Sequence, residues 1–117
     1  MSKLTQGRRR PDTLEGDLPD EIKPGDYWKI LDAFGVPKQS AYASNLTGTC
    51  WHLAVPLGRS DEAYALANLI AHTVREHTDG TISVLPGDGS SNSILVTRRP
   101  GETWHGYVRN GVLEGDG

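Results

Sequence analysis

The side chains able to ligate a metal or move a proton near neutral pH are the single cysteine, Cys50, and four histidines, His52, His72, His77 and His105. Two of them fall in HTVREHTDGTISVLPG (72–87), together with Glu76 and an Asp-Gly turn. His72 and His77 stand five positions apart. A strand sends residues at an odd separation to opposite faces, and a helix turns them about 140° apart, so neither geometry aims both rings at one ion. The His-Glu-x-x-His spacing that solves this problem on a helix is absent. His72 and Glu76 do share a face in either geometry, but two ligands do not make a zinc site. A metal site would have to be assembled by the fold from Cys50, His52, His72, His77 and His105, of which Cys50 and His52 share a strand face. The commoner fate of such histidines is hydrogen bonding at the margin of a core. No metal and no cofactor are expected.

Other chemistries find less. Cys50 lacks the local signature of a thiol nucleophile and suits the role of a small buried residue. Glu76, Glu102 and Glu114 have nothing in sequence to orient them as a glycosidase pair. PGDGSSNS contains neither the Gly-Lys-Ser/Thr of a phosphate loop nor a dinucleotide fingerprint. No catalytic residue is therefore assigned. The aromatic residues Tyr27, Trp28, Tyr42, Trp51, Tyr64, Trp104 and Tyr107 are a large supply of rings for a small body, and rings fill cores or build contact surfaces. Trp104, His105, Tyr107 and Arg109, with the neighbouring Arg98 and Arg99, form the candidate binding set. They would suit a protein partner or a small anionic ligand.

Composition narrows the classes. The chain has 117 residues, a formal charge of −3, 14 glycines and 7 prolines. That size fits one domain, and the glycine and proline content favours short elements joined by turns. The net charge argues against nucleic acid as a partner, and Arg8-Arg9-Arg10 stands beside an acidic run that would neutralise it in place. No apolar stretch approaches the roughly 18 residues that span a bilayer, so no membrane partner is expected. The basic N-terminus lacks the apolar segment of a secretory signal. One cysteine leaves no intrachain disulfide and suits a reducing compartment.

The elements that must position these residues follow from periodicity. Residues 1–26 show no apolar period and are expected to form an extended or flexible arm, with 27–117 as a small β-rich domain. Tyr27, Leu31 and Phe34 fit a helix, but Tyr27–Ile30 also fits a strand, which is preferred. GTCWHLAVPLG alternates as a strand closed by Pro56. RSDEAYALANLIAHTV suggests one short helix, with Ser60 as N-cap and Ala63, Leu66, Ala67 and Ile70 as its stripe. The TDGT turn predicts a hairpin with a three-residue loop, Thr78-Asp79-Gly80, because that register gathers Val74, Ile82 and Val84 on one face. Residues 87–93 read as a connector, 93–97 as a buried strand and RRPG as a turn. Asn110-Gly111 predicts a two-residue turn that sets Val108 opposite Leu113, with Trp104 on the same face. The expected fold is mainly β (α+β): a small antiparallel sheet or sandwich of hairpins with one short helix, preceded by an irregular N-terminal arm.

The run HTVREHTDGTISV, then SILVT, then WHGYVRNGV resembles a pattern in small uncharacterised proteins of tailed phages that infect actinobacteria. The resemblance covers residues 72–113, with weaker similarity at PGDYWKI and GTCWHL. The GDGSSN insertion separates segments that usually lie closer in that pattern. It implies a phage gene and a β-rich fold, and it carries no catalytic residue. With compact size, spare aromatics and no catalytic set, the expected function is that of a non-enzymatic phage accessory protein. It would bind a host or phage partner, or a small host signalling molecule, in the host cytoplasm. One alternative is a virion component whose N-terminal arm is ordered in the phage particle, and another is a metal-dependent enzyme using the scattered histidines. A homo-oligomer is compatible with either binding role.

Overall fold

Alternation of inward and outward side chains, rather than helical periodicity, organises the chain. A computed structural model describes residues 2–37, 50–57, 63–69, 72–85, 93–99 and 102–116. Along them run β1 (Ser2–Gln6), β2 (Arg8–Arg9), β3 (Thr13–Leu14), β4 (Asp26–Leu31), β5 (Trp51–Pro56), β6 (Tyr64–Asn68), β7 (Thr73–Glu76), β8 (Ile82–Leu85), β9 (Ile94–Arg99), β10 (Glu102–Arg109) and β11 (Val112–Asp116). One sheet has the order β1-β11-β10-β9 and is antiparallel throughout. The other has the order β2-β4-β5-β6, with β3 also on β4. There β2 and β3 run parallel to β4, whereas β5 and β6 pair antiparallel. The mainly-β expectation holds.

The two sheets and the β7–β8 hairpin close on one core. Tyr27, Trp51, Leu53 and Val55 enter it from the second sheet, Trp104, Val108 and Leu113 from the first, and Val74, Ile82 and Val84 from the hairpin. Leu53, Val55, Val108 and Leu113 are wholly buried. Burial at this level contributes about 1.5–3 kcal/mol per large apolar side chain, which is why these positions dictate register.

Both hairpins form as their turn residues require. Val74 pairs with Val84 and Glu76 with Ile82, and His77 N–H donates to the Thr81 carbonyl at 2.8 Å, closing the three-residue loop. Asn110 (φ 49°) and Gly111 (φ 78°) both adopt the left-handed conformation that a two-residue hairpin demands. Val108 then faces Leu113. Gly111 N–H donates to the Ile82 carbonyl at 2.8 Å, tying one hairpin to the other. Residues 27–30 lie within β4, as a strand and not a helix.

The structure corrects three expectations. The short helix is replaced by β6, and no α-helix occurs among the described residues. Ala65, Ala67 and Leu69 point into the core while Leu66 and Asn68 face outward. Pairing from His52↔Asn68 to Pro56↔Tyr64 satisfies the outer edge of buried β5. That ladder outweighs the helix propensity of the alanines. Ser60–Glu62 and Ile70 of the expected helix, like Tyr42 and the connector over 87–92, lie outside the described residues. Arg98 and Arg99 belong to β9 and not to a turn, because the β9–β10 ladder continues through an irregularity to Glu102↔Arg99.

The third correction concerns the irregular arm. β1 pairs with β11 from Ser2↔Asp116 to Gln6↔Val112, and β2 and β3 add to β4. Polar strands of this kind show no apolar period, because backbone ladders and charge pairs hold them. Strand alternation sends Arg8 and Arg10 to one side and Arg9 to the other. Arg8 grips the Asp26 carboxylate through Nε and Nη2, both at 2.9 Å. Arg10 Nη1 adds a third contact at 2.8 Å, and Lys23 N–H a fourth at 2.9 Å. Asp26 is only 1% exposed, and an ionised carboxylate is tolerated at such depth only with partners of this kind. Arg9 lies over the Trp51 ring at 4.7 Å and pairs with Glu76 at 2.9 Å. Lys29 also reaches Glu76 at 2.9 Å. The three arginines are thus engaged within the fold.

Candidate functional site

Alternation divides β10 between the core and a solvent-facing surface. Trp104, Gly106 and Val108 point inward, whereas His105, Tyr107 and Arg109 point outward. The outward rings of His105 and Tyr107 sit 6.2 Å apart in a tilted contact, and the Arg109 guanidinium lies 5.8 Å from the Tyr107 ring centre. Three of the residues expected to bind are therefore brought together. Trp104 does not join them: it is buried, and its indole packs on the inward side. A Cβ on Gly115 would overlap its Nε1, and one on Gly106 would come within 2.7 Å of Cζ2. Arg98 and Arg99 are placed by the β9 backbone; what their side chains contact lies outside the described part of the structure.

The register supplies neighbours that sequence reasoning missed. His105 pairs with Leu95, Thr103 with Thr97, Tyr107 with Glu114, and Arg109 with Val112, while Glu114 pairs in turn with Leu4. Directly paired residues share a face, so Leu95 and Leu4 flank the aromatic and basic residues. Leu95 is 68% exposed and Leu4 65%. SILVT read as a wholly buried strand concealed Leu95, although strict alternation from Ile94 would have placed it outside. Nothing in the sequence of Leu4 signalled its strand.

A second arrangement lies on the outer side of β4, β5 and β6. Ile30, Cys50, His52 and Asn68 line a recess of about 240 Å³ whose rim is the turn Glu15-Gly16-Asp17. That turn is fixed by Asp17 N–H donating to the Leu14 carbonyl at 2.9 Å and Glu15 N–H to the Leu31 carbonyl at 2.8 Å. The strand-face pairing of Cys50 with His52 expected from their spacing is thus realised. His52 packs edge-on against Trp28 at 5.7 Å, and its Nδ1 is buried with no hydrogen-bond partner among the described residues. Burial lowers its pKa, so the ring is neutral at pH 7.

The remaining histidines are dispersed. His77 Nε2 lies 2.7 Å from the Ser83 hydroxyl, a spacing that a nucleophile and base could use. Ser83 is buried, however, and its Oγ also accepts Asn110 N–H at 2.9 Å, so the contact anchors the hairpin to the β10–β11 turn. His72 is held neutral by burial. Burial would raise the Glu76 pKa, but hydrogen bonds from Lys29 and Arg9 outweigh it and keep the carboxylate below its ordinary range. Among the described residues, no three His, Cys, Asp or Glu side chains converge to hold a metal ion. Cys50, His52, His72, His77 and His105 do not form one centre.

Fold and site together define a small, mainly β chain with antiparallel sheets and an outward-facing aromatic and basic cluster. Among the described residues no helix is long and apolar enough to cross a membrane. Protein-family models, characterised proteins and solved structures offer no match to this chain.

Proposed function

We propose that this chain is a non-enzymatic accessory protein that binds a host or phage protein through the outer face of β1, β11, β10 and β9. The carrying observation is the conjunction of Leu4 and Leu95, both about two-thirds exposed, with the His105–Tyr107–Arg109 stack between them. Aromatic and arginine side chains are enriched where proteins touch, and exposed leucines in the same patch supply apolar area. Four strands at about 4.8 Å spacing, over six residues of β10, give a patch of roughly 300 Å². That is the scale of functional surface patches and below the roughly 800 Å² per partner of a standard stable interface. A transient protein contact fits these dimensions, whereas a small molecule would leave most of the face uncovered. The resemblance to phage proteins supports an accessory role. Residues 2–14 find their strand partners within the chain itself, so the N-terminal segment no longer argues for an assembly role.

The test is site-specific photo-crosslinking in an actinobacterial lysate with benzoylphenylalanine at position 107, and at position 75 as control. Crosslinking of one protein from 107 and not from 75 is expected. That protein, once purified, should bind the wild-type chain and lose about tenfold or more affinity for the Tyr107→Ala/Arg109→Ala variant. Equal crosslinking from both positions, or none, sinks the proposal.

A further inference from the structure

Strand order leaves β9 at one edge of the first sheet and β1 at the other. Which backbone groups face outward from β9 follows from the Asn110-Gly111 turn. A two-residue turn makes Arg109 and Val112 a hydrogen-bonded pair, so Val108, Gly106 and Trp104 direct their N–H and C=O groups towards β9. Gly106 pairs there with Ile94, and Trp104 with Val96. Leu95 and Thr97 therefore turn their backbone groups away from β10, and these find no backbone partner among the described residues. The Thr97 and Thr103 hydroxyls lie 3.1 Å apart, as suits a cross-strand pair without backbone hydrogen bonds between its members. Leu95 and Thr97 are exposed, and Val96 between them packs half-buried on the core.

The two edges differ in what a second copy of the chain would meet. On β1, Gly7 N–H donates to the Gly111 carbonyl at 2.8 Å, so Lys3 and Thr5 bond to β11 while Ser2, Leu4 and Gln6 face outward. A Cβ on Gly25 would come within 2.9 Å of the Gln6 carbonyl oxygen, so the chain entering β4 closes that end. Two-fold pairing of the open part, Ser2–Leu4, sets Lys3 directly opposite the partner subunit's Lys3, a like-charge contact that resists association. On β9 the same operation centres on Val96. Leu95 then exchanges hydrogen bonds with Thr97 of the partner subunit, Thr97 with the partner's Leu95, and Val96 opposes the partner's Val96. All three positions are uncharged. Arg98, the extra residue of the irregularity, and Arg99 fall beyond this ladder, and neither stands opposite its own copy.

We infer that the chain forms a two-fold homodimer by antiparallel pairing of β9 with β9 of a second copy over Leu95–Thr97. Such a contact is self-complementary, and it satisfies every outward N–H and C=O of the segment at once. It joins the first sheets of the two copies into one and makes their outer faces continuous, with Leu95 of each beside Thr97 of the other. The paired segment is short, so the dimer belongs with weak, concentration-dependent contacts and not with obligate ones. The inference does not depend on the protein partner proposed for the β10 face, because it is tested on the purified chain alone.

Sedimentation equilibrium of the full chain from about 10 µM to about 1 mM, the range of weak contacts, should show the mass rising towards twice that of the monomer. In a Cys50→Ala background, Val96→Cys should form a disulfide-linked dimer in glutathione buffer, because residues opposed in this way lie about 4.5 Å apart at Cα. Arg75→Cys in the same background should not. Thr97→Pro removes an outward N–H while sparing the ladder to β10, and it should abolish association with an unchanged far-ultraviolet circular dichroism spectrum. Thr97→Val, which loses the hydroxyl but keeps the N–H, should associate like the wild type. A chain that stays monomeric throughout that range overturns the inference. So does a dimer that survives Thr97→Pro, or one that Val96→Cys fails to trap. Should Thr97→Pro unfold, the Val96→Cys trap decides alone.

Discussion

Replacing Asp26 with alanine tests how the N-terminal strands are held. The carboxylate is 1% exposed and accepts hydrogen bonds from Arg8, Arg10 and Lys23 N–H. Its removal strands the Arg10 guanidinium, 17% exposed, with backbone carbonyls as its remaining partners, whereas Arg8, 51% exposed, can turn to water. Breaking a fully buried charge pair costs about 3–5 kcal/mol, and water at Arg8 brings the expected loss to about 2–3 kcal/mol. For 117 residues this lowers Tm by about 10 °C, measurable by circular dichroism at pH 7. Acid should reveal the same contact. Burial alone would raise the Asp26 pKa, but Arg8, Lys23 N–H and Arg10 more than offset it and hold the group below its ordinary value. Because the folded value is the lower one, the unfolded chain takes up the proton first. The contribution is complete above the ordinary carboxylate pKa of about 4 and is lost as pH falls below it. Glu76 behaves alike, so the variant should show a shallower acid slope and not a flat one. A stability change under about 0.5 kcal/mol, the size of an ordinary surface substitution, together with an unaltered acid slope, would refute the lock.

Other expectations follow from single contacts. Gly115→Ala places a methyl group against the Trp104 indole and should destabilise by about 1–3 kcal/mol in urea unfolding, with a shift in tryptophan fluorescence. Gly80→Ala meets no atom within 4 Å, so its cost should be only the positive φ of +87°, about 1 kcal/mol, by the same assay. His52 and His72 have folded pKa values lowered by burial, so stability should decline as pH falls below 6.5, and His52→Gln should make that slope shallower but not flat in denaturation series from pH 7.5 to pH 5. Tyr107→Ala/Arg109→Ala should leave Tm unchanged within about 2 °C, because neither outward side chain supports the core.

How much was legible depended on whether a local signal and a global demand agreed. The two hairpins were readable to the residue because Asn110-Gly111 fixes a two-residue turn, while around Asp79-Gly80 only the three-residue loop gathers Val74, Ile82 and Val84 on one face. β6 misled because AYALANL satisfies both a helical stripe and a two-residue period. Only the open edge of β5, a tertiary fact, decides between them. β1 was invisible, since SKLTQ contains one apolar side chain and that one faces solvent. At the site, alternation along WHGYVR separates Trp104 from His105, Tyr107 and Arg109, so the mixed grouping could have been divided from sequence. The pairing of Arg8 and Arg10 with Asp26 depends on a parallel strand contact between segments distant in sequence, for which no pattern exists.

The central claim is that the outer face of β10 and its neighbouring strands meets a protein partner. Hydrogen–deuterium exchange of the full chain, alone and saturated with the purified crosslinked protein, measures this most directly. Slowed exchange over residues 94–97 and 103–109, with residues 73–77 unchanged, is the expected result. Protection confined to other strands, or uptake identical with and without the partner, would contradict the claim.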